Sequence, residues 1–84
     1  MKLEDMPELK PLDRIEIEYF QNDQLKDKIY KTLGYFLDIS FEGEYYRQHS
    51  LFYTTHLFDG KSGNSKSIYI SHITSLKVLQ ESSQ

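Results

Sequence analysis

Eighty-four residues and 10.0 kDa leave room for one small domain. A chain of that length buries only about 60–65% of the surface its unfolded form exposes, so its core is thin. The lack of cysteine excludes disulfide staples, cysteine-ligated zinc and a thiol nucleophile. Hydrophobic residues at 38%, with seven Tyr and five Phe, exclude a disordered tail, and the net charge is −3.

The N-terminus, Met1-Lys2-Leu3-Glu4-Asp5-Met6-Pro7, carries no apolar core of a secretory signal. No apolar run approaches the ~20 residues that span a bilayer, and no basic amphipathic helix would lie on one. These features are read as a cytoplasmic chain with no membrane partner. Pro7 and Pro11 make residues 1–13 an irregular or one-turn helical lead-in. Residues 1–18 hold Lys2, Lys10 and Arg14 against Glu4, Asp5, Glu8, Asp13, Glu16 and Glu18, which accounts for the whole charge excess. The remaining residues are neutral overall, a poor match to non-specific nucleic-acid binding through several phosphate contacts.

From Arg14 the pattern becomes two-residue alternation, with Ile15, Ile17 and Tyr19 opposite Arg14, Glu16 and Glu18. That is a half-buried strand. Gln21-Asn22-Asp23-Gln24 is a polar turn. Beyond it Ile29, Leu33, Tyr35, Leu37, Ile39 and Phe41 fall on odd positions and are assigned to the core face of a long strand. Leu25, Ile29 and Leu33 also permit a helix over residues 24–33, and β-branched and aromatic enrichment after Lys31 favours the strand. Gly34 is assigned a bend or bulge within it. After a turn at 41–44, residues 45–58 are β-rich with apolar residues on both faces, and 59–67 form the most flexible loop. Ile68-Tyr69-Ile70-Ser71 is a short strand, residues 71–74 fit a 3₁₀ turn, and residues 76–79 form the last strand. The expectation is a mainly β chain: a small, bent, five-stranded antiparallel barrel over residues 14–80, with a lead-in at 1–13 and a frayed tail at 81–84. Closing the barrel would use up exposed sheet edges.

Three segments carry a resemblance: Arg14-Ile15-Glu16-Ile17-Glu18-Tyr19, Gly34-Tyr35-Phe36-Leu37-Asp38-Ile39, and Ile68-Tyr69-Ile70-Ser71-His72-Ile73-Thr74-Ser75-Leu76. Together, over roughly residues 14–79, the chain resembles the Sm-like small β-barrels and, among them, the YolD-like bacterial proteins. The segments are similar to a first strand, a glycine-to-aspartate strand, and a strand passing through a turn into a final Ile/Leu-rich strand. The resemblance implies an Sm-like barrel and, by analogy, roles connected with RNA or with DNA repair. Asp38 matches the family's aspartate, but the chain lacks the basic, Asn-Gly-like signature with which Sm-like proteins bind uridines.

Catalytic and metal patterns fare poorly. His49, His56 and His72 could join Asp59 or Glu44 around a metal, but His49 and His56 are seven apart and would face opposite sides of one strand. Gly60-Lys61-Ser62 resembles the end of a phosphate loop, yet Thr55 stands where the first glycine belongs and no helix follows. No nucleophile elbow is present, and Glu42 and Glu44 flank Gly43 as solvated carboxylates. A ligand pocket of about 300 Å³ or more is a large demand on so small a chain. No enzyme activity, cofactor or metal is therefore expected.

The aromatic surplus is the informative feature. Tyr30 and Phe36 fall opposite the assigned core face, and Tyr45, Tyr46, Phe52 and Tyr69 exceed the needs of a small core. Exposed aromatics form either base-stacking platforms or protein-binding patches. With Arg47 and Lys66 as the cations beside the later aromatics, the patch composition fits a protein interface. The sequence therefore points to a non-enzymatic interaction module, an adaptor or inhibitor of the kind bacterial or mobile-element accessory proteins provide, with self-association into an oligomer as one mode. The alternative is an Sm-like RNA or single-strand binder. A third reading is an acidic nucleic-acid mimic built on the six N-terminal carboxylates.

Overall fold

Alternation in the first apolar segment produces β1 (Arg14–Tyr19), which buries Ile15 and Ile17 completely and leaves Arg14, Glu16 and Glu18 partly exposed. The computed structural model describes residues 1–45, 47–58 and 61–81. Within them the chain continues through β2 (Tyr30–Glu42), β3 (Gln48–Thr54), β4 (Leu57–Phe58), β5 (Lys61–Ser62), β6 (Ser65–Tyr69) and β7 (Ile73–Gln80). Helical structure among the described residues is limited to single 3₁₀ turns at Leu3–Asp5, Asp23–Leu25 and Ile70–His72. The protein is thus mainly β.

Five strands form one antiparallel sheet in the order β6-β3-β2-β1-β7, and β4 with β5 form a separate two-stranded piece. The 3₁₀ turn Ile70–His72 carries the chain from one edge to the other, so β7 pairs with the first strand. β6 and β7 remain the two edges, and the sheet is open where the sequence led us to expect a closed barrel. The core comprises Ile15 and Ile17 of β1, Phe36 of β2, Leu51 and Tyr53 of β3, and Ile68, Ile70 and Ile73 around the last crossing.

The long second strand corrects the expected core face. Phe36 pairs with Tyr53 and Asp38 with Phe52, so Leu37 is an extra residue in a β-bulge. One extra residue exchanges the two faces. Before the bulge the even positions point inward: Gly34 is buried and Phe36 is 6% exposed, while Ile29 and Leu33 are each 44% exposed. After it, Ile39 packs against the core. The bend expected at Gly34 therefore lies two to four residues later. Gly34 serves a different need, because a Cβ there would stand 2.6 Å from Tyr53 Cδ2 and 3.1 Å from the Thr54 carbonyl oxygen. Residues 24–33 split between the turn at Asp23–Leu25, where Asn22 Oδ1 accepts from the Gln24 amide at 2.9 Å, and a strand from Tyr30.

The lead-in is tied to the same bulge. Lys10-Pro11-Leu12-Asp13 closes a turn, with the Asp13 amide donating to the Lys10 carbonyl at 3.0 Å and the Lys10 amide donating to Asp13 Oδ2 at 2.9 Å. Leu12 takes φ +71° there. The Leu12 amide donates to the Phe36 carbonyl at 2.6 Å, and the Phe36 amide donates back to the Asp13 carbonyl at 2.9 Å. Met1, Met6 and Leu9 then pack on the core. The expected loop at 59–67 contains β5 and the start of β6, with residues 59–60 outside the described set. Of the expected frayed tail only Glu81 is described, and β7 reaches Gln80.

Candidate interaction surface

Alternation along β2, β3 and β6 sends two rows of side chains away from the core. Ser40, Ser50 and Tyr69 stand in one row across the three strands, and Asp38, Phe52 and Ser67 in the next. Between them lies an open trough of about 410 Å³, bounded by the Phe52 and Tyr69 rings, the three serines and Glu42. Phe41 completes its wall, with its ring 4.8 Å from that of His49. No lysine, arginine or histidine lines it among the described residues. Glu42 is held in place because its Oε1 accepts from the amides of Glu44 at 3.1 Å and Tyr45 at 3.3 Å. The two glutamates read as a solvated pair thus have different roles: Glu42 fastens the turn that Glu44 belongs to.

The six aromatics singled out in the sequence separate accordingly. Phe52 and Tyr69 come together, both half-buried, at the trough. Tyr45 is 80% exposed at the β2–β3 turn. Tyr30 is half-buried on the inner side of the sheet, its ring 5.9 Å from that of Tyr19. Phe36 was expected on the outer face and lies in the core, for the reason the bulge gives. Tyr46 lies outside the described residues. The six N-terminal carboxylates do not form one free face either. Asp13 is 2% exposed, and Glu16 Oε1 lies 3.1 Å from Lys31 Nζ.

A second depression, of about 340 Å³, also lies along β6 and shares Ser67 and Tyr69 with the trough. Tyr19, Phe20, Tyr53, Tyr69 and His72 supply its rings and Lys66 its cation. The amide of Phe20 donates to the His72 carbonyl at 3.1 Å, which sets their rings 4.8 Å apart, while Tyr69 meets His72 edge-on at 5.4 Å. Lys26 Nζ lies 6.0 Å from the Phe20 ring and Lys28 Nζ 5.7 Å from the Tyr30 ring. His72 Nε2 is 3.9 Å from Asp23 Oδ1. Burial pushes the Tyr53 phenol above its ordinary value, with a hydrogen bond to Thr32 opposing the shift. This cluster was not recognised from sequence. Its signal, lysines in the β1–β2 turn, becomes legible only once the register sets Tyr19 against both Tyr30 and Ile73.

No helix among the described residues is long and apolar enough to cross a membrane, and no three metal-binding side chains converge among them. No family model matches the chain, and no curated protein matches it.

Proposed function

We propose that this protein is a non-enzymatic interaction module that receives a partner strand on an edge of its sheet, with the Phe52 and Tyr69 rings flanking the site. The observation that carries the reading is that, among the described residues, β6 and β7 each have a strand on one side only. An unpaired edge offers a row of backbone donors and acceptors, and strand addition satisfies them. A second copy or another protein supplies that strand, as befits an adaptor or inhibitor. Pairing at these edges would also complete an Sm-like barrel. Support for that finer fold is the strand order and the one-turn link before a final Ile/Leu-rich strand. Light scattering over a concentration series, paired with amide exchange, tests the reading. Slowed exchange at residues 65–69 or 73–80 on oligomerisation or partner addition is expected. A monomer whose edge amides stay fast with every partner tried refutes it.

A second reading, binding of single-stranded nucleic acid, has its own observation. Lys26, Lys28 and Lys66 lie beside Phe20, Tyr30 and Tyr69, the interleaving of cations and rings on which bases stack. Tyrosine fluorescence titrated with oligouridylate and oligothymidylate tests it. Binding that weakens steeply with salt and is lost in Lys66→Ala supports it, and no binding at low salt removes it.

A further inference from the structure

The proposed edge leaves its partner's chemistry open, and the trough beside β6 constrains it. A strand added to β6 would lie about 4.8 Å from it, and its outward side chains would fall level with Ser67 and Tyr69. Ser67 is the small residue between that edge and Phe52. A long side chain from the added strand therefore has a clear path over Ser67 onto the Phe52 ring, with Tyr69 beside it. The end of that path is rich in negative potential. It meets the Phe52 and Tyr69 side chains, the serine oxygens of residues 40 and 50 and the Glu42 carboxylate, with exposed Asp38 in the same row as Phe52. A cation gains from aromatic rings and from carboxylates, whereas an anion would find only serine hydroxyls and no cationic partner lining the trough.

The neighbouring depression along the same edge carries a cation. Lys66 pairs with inward-facing Tyr53 and lines the second depression, which adjoins the trough at Ser67 and Tyr69. Because side chains alternate along a strand, one added segment presents different residues to the two sides. We infer that β6 takes an extended segment with arginine or lysine at alternate positions, the basic side chain lying over Ser67 between Phe52 and Tyr69, and uncharged or acidic residues between them. This inference rests on the edge-strand reading above, and adds to it a charge and a spacing.

The test is an amide-resolved NMR titration of the full chain with two capped heptapeptides. One alternates arginine with valine, and the other alternates glutamate with valine. Shifts centred on residues 65–69, with the arginine peptide about tenfold tighter or more, support the inference. The preference should shrink in Glu42→Gln, which keeps an oxygen to hold the turn, and vanish in Phe52→Ala. Should Phe52→Ala fail to fold, Ser67→Leu closes the path instead and must remove the arginine preference; its survival there overturns the inference. Equal binding of both peptides at β6 overturns the charge assignment and leaves the edge reading standing. No shift at residues 65–69 with either peptide overturns both. An oligomer that Lys77→Ala dissolves would assign the trough to β7 of a second copy, whose one lysine does not alternate, and overturn the inferred segment as its occupant.

Discussion

Replacing Gly34 with alanine tests whether the core is packed as described. A Cβ at that position would lie 2.6 Å from Tyr53 Cδ2 and 3.1 Å from the Thr54 carbonyl oxygen, so ring or backbone must move. The ring has little freedom: Tyr53 is 4% exposed and belongs to the core. Overpacking of this kind costs about 1–3 kcal/mol. Against it stands a gain of about 0.4–1 kcal/mol, because alanine narrows the unfolded ensemble. The net expectation is a loss of about 1–2 kcal/mol. For a domain of this size that lowers Tm by roughly 4–16 °C, measured by circular dichroism on heating. A Tm equal to or above that of the parent would refute the close approach. A double-mutant cycle sharpens the attribution: with Tyr53→Leu already present, the alanine should cost about 1 kcal/mol less. Additive losses would mean that the obstruction is not the Tyr53 ring.

Leu12→Gly should stabilise the protein, since φ +71° costs a leucine about 1–2 kcal/mol and glycine adopts it freely. Glycine's extra unfolded entropy and the lost side-chain contacts reduce the gain to about 0.5 kcal/mol, read as a higher urea midpoint; a lower midpoint contradicts the strained turn. Stability should also decline at alkaline pH. The Tyr53 phenol is raised above 10.0 by burial, and the Lys31 ammonium above 10.5 by its hydrogen bond and attraction to Glu16. Both groups hold their protons more tightly folded than unfolded, so their contribution is complete below those ordinary values and is lost as pH rises through the raised ones. Tyr53→Phe should flatten the decline in urea midpoint above pH 10, and an unchanged slope would remove Tyr53 from the account.

What could be read in the sequence followed from local alternation. Ile15 and Ile17 declare β1 because every second residue there is charged. The link before the last strand, read at 71–74, folds at Ile70–His72. The long strand misled because alternation only identifies a face while the count is unbroken, and the bulge between Phe36 and Asp38 breaks it. Odd positions 29–41 carry an apolar residue almost throughout, so nothing local marks where inward and outward exchange. The partner strand decides it: Tyr53 claims Phe36 as its neighbour and Phe52 claims Asp38.

That same exchange shapes the candidate surface. Had β2 kept one register, Phe36 would face outward as its parity indicated, and Asp38 and Ser40 would share its face. With the extra residue, Phe36 enters the core while Asp38 and Ser40 remain outside. The outer rows of β2 next to Phe52 and Tyr69 are therefore polar and acidic, without the outward Phe36 that the sequence suggested. The proposed partner would consequently be selected by hydrogen bonding and charge as well as by apolar area. The trough's character depends on a single inserted residue. Deleting Leu37 should restore uniform alternation only by driving Phe36 out of the core or the following segment out of register, and either would dismantle the surface together with the fold.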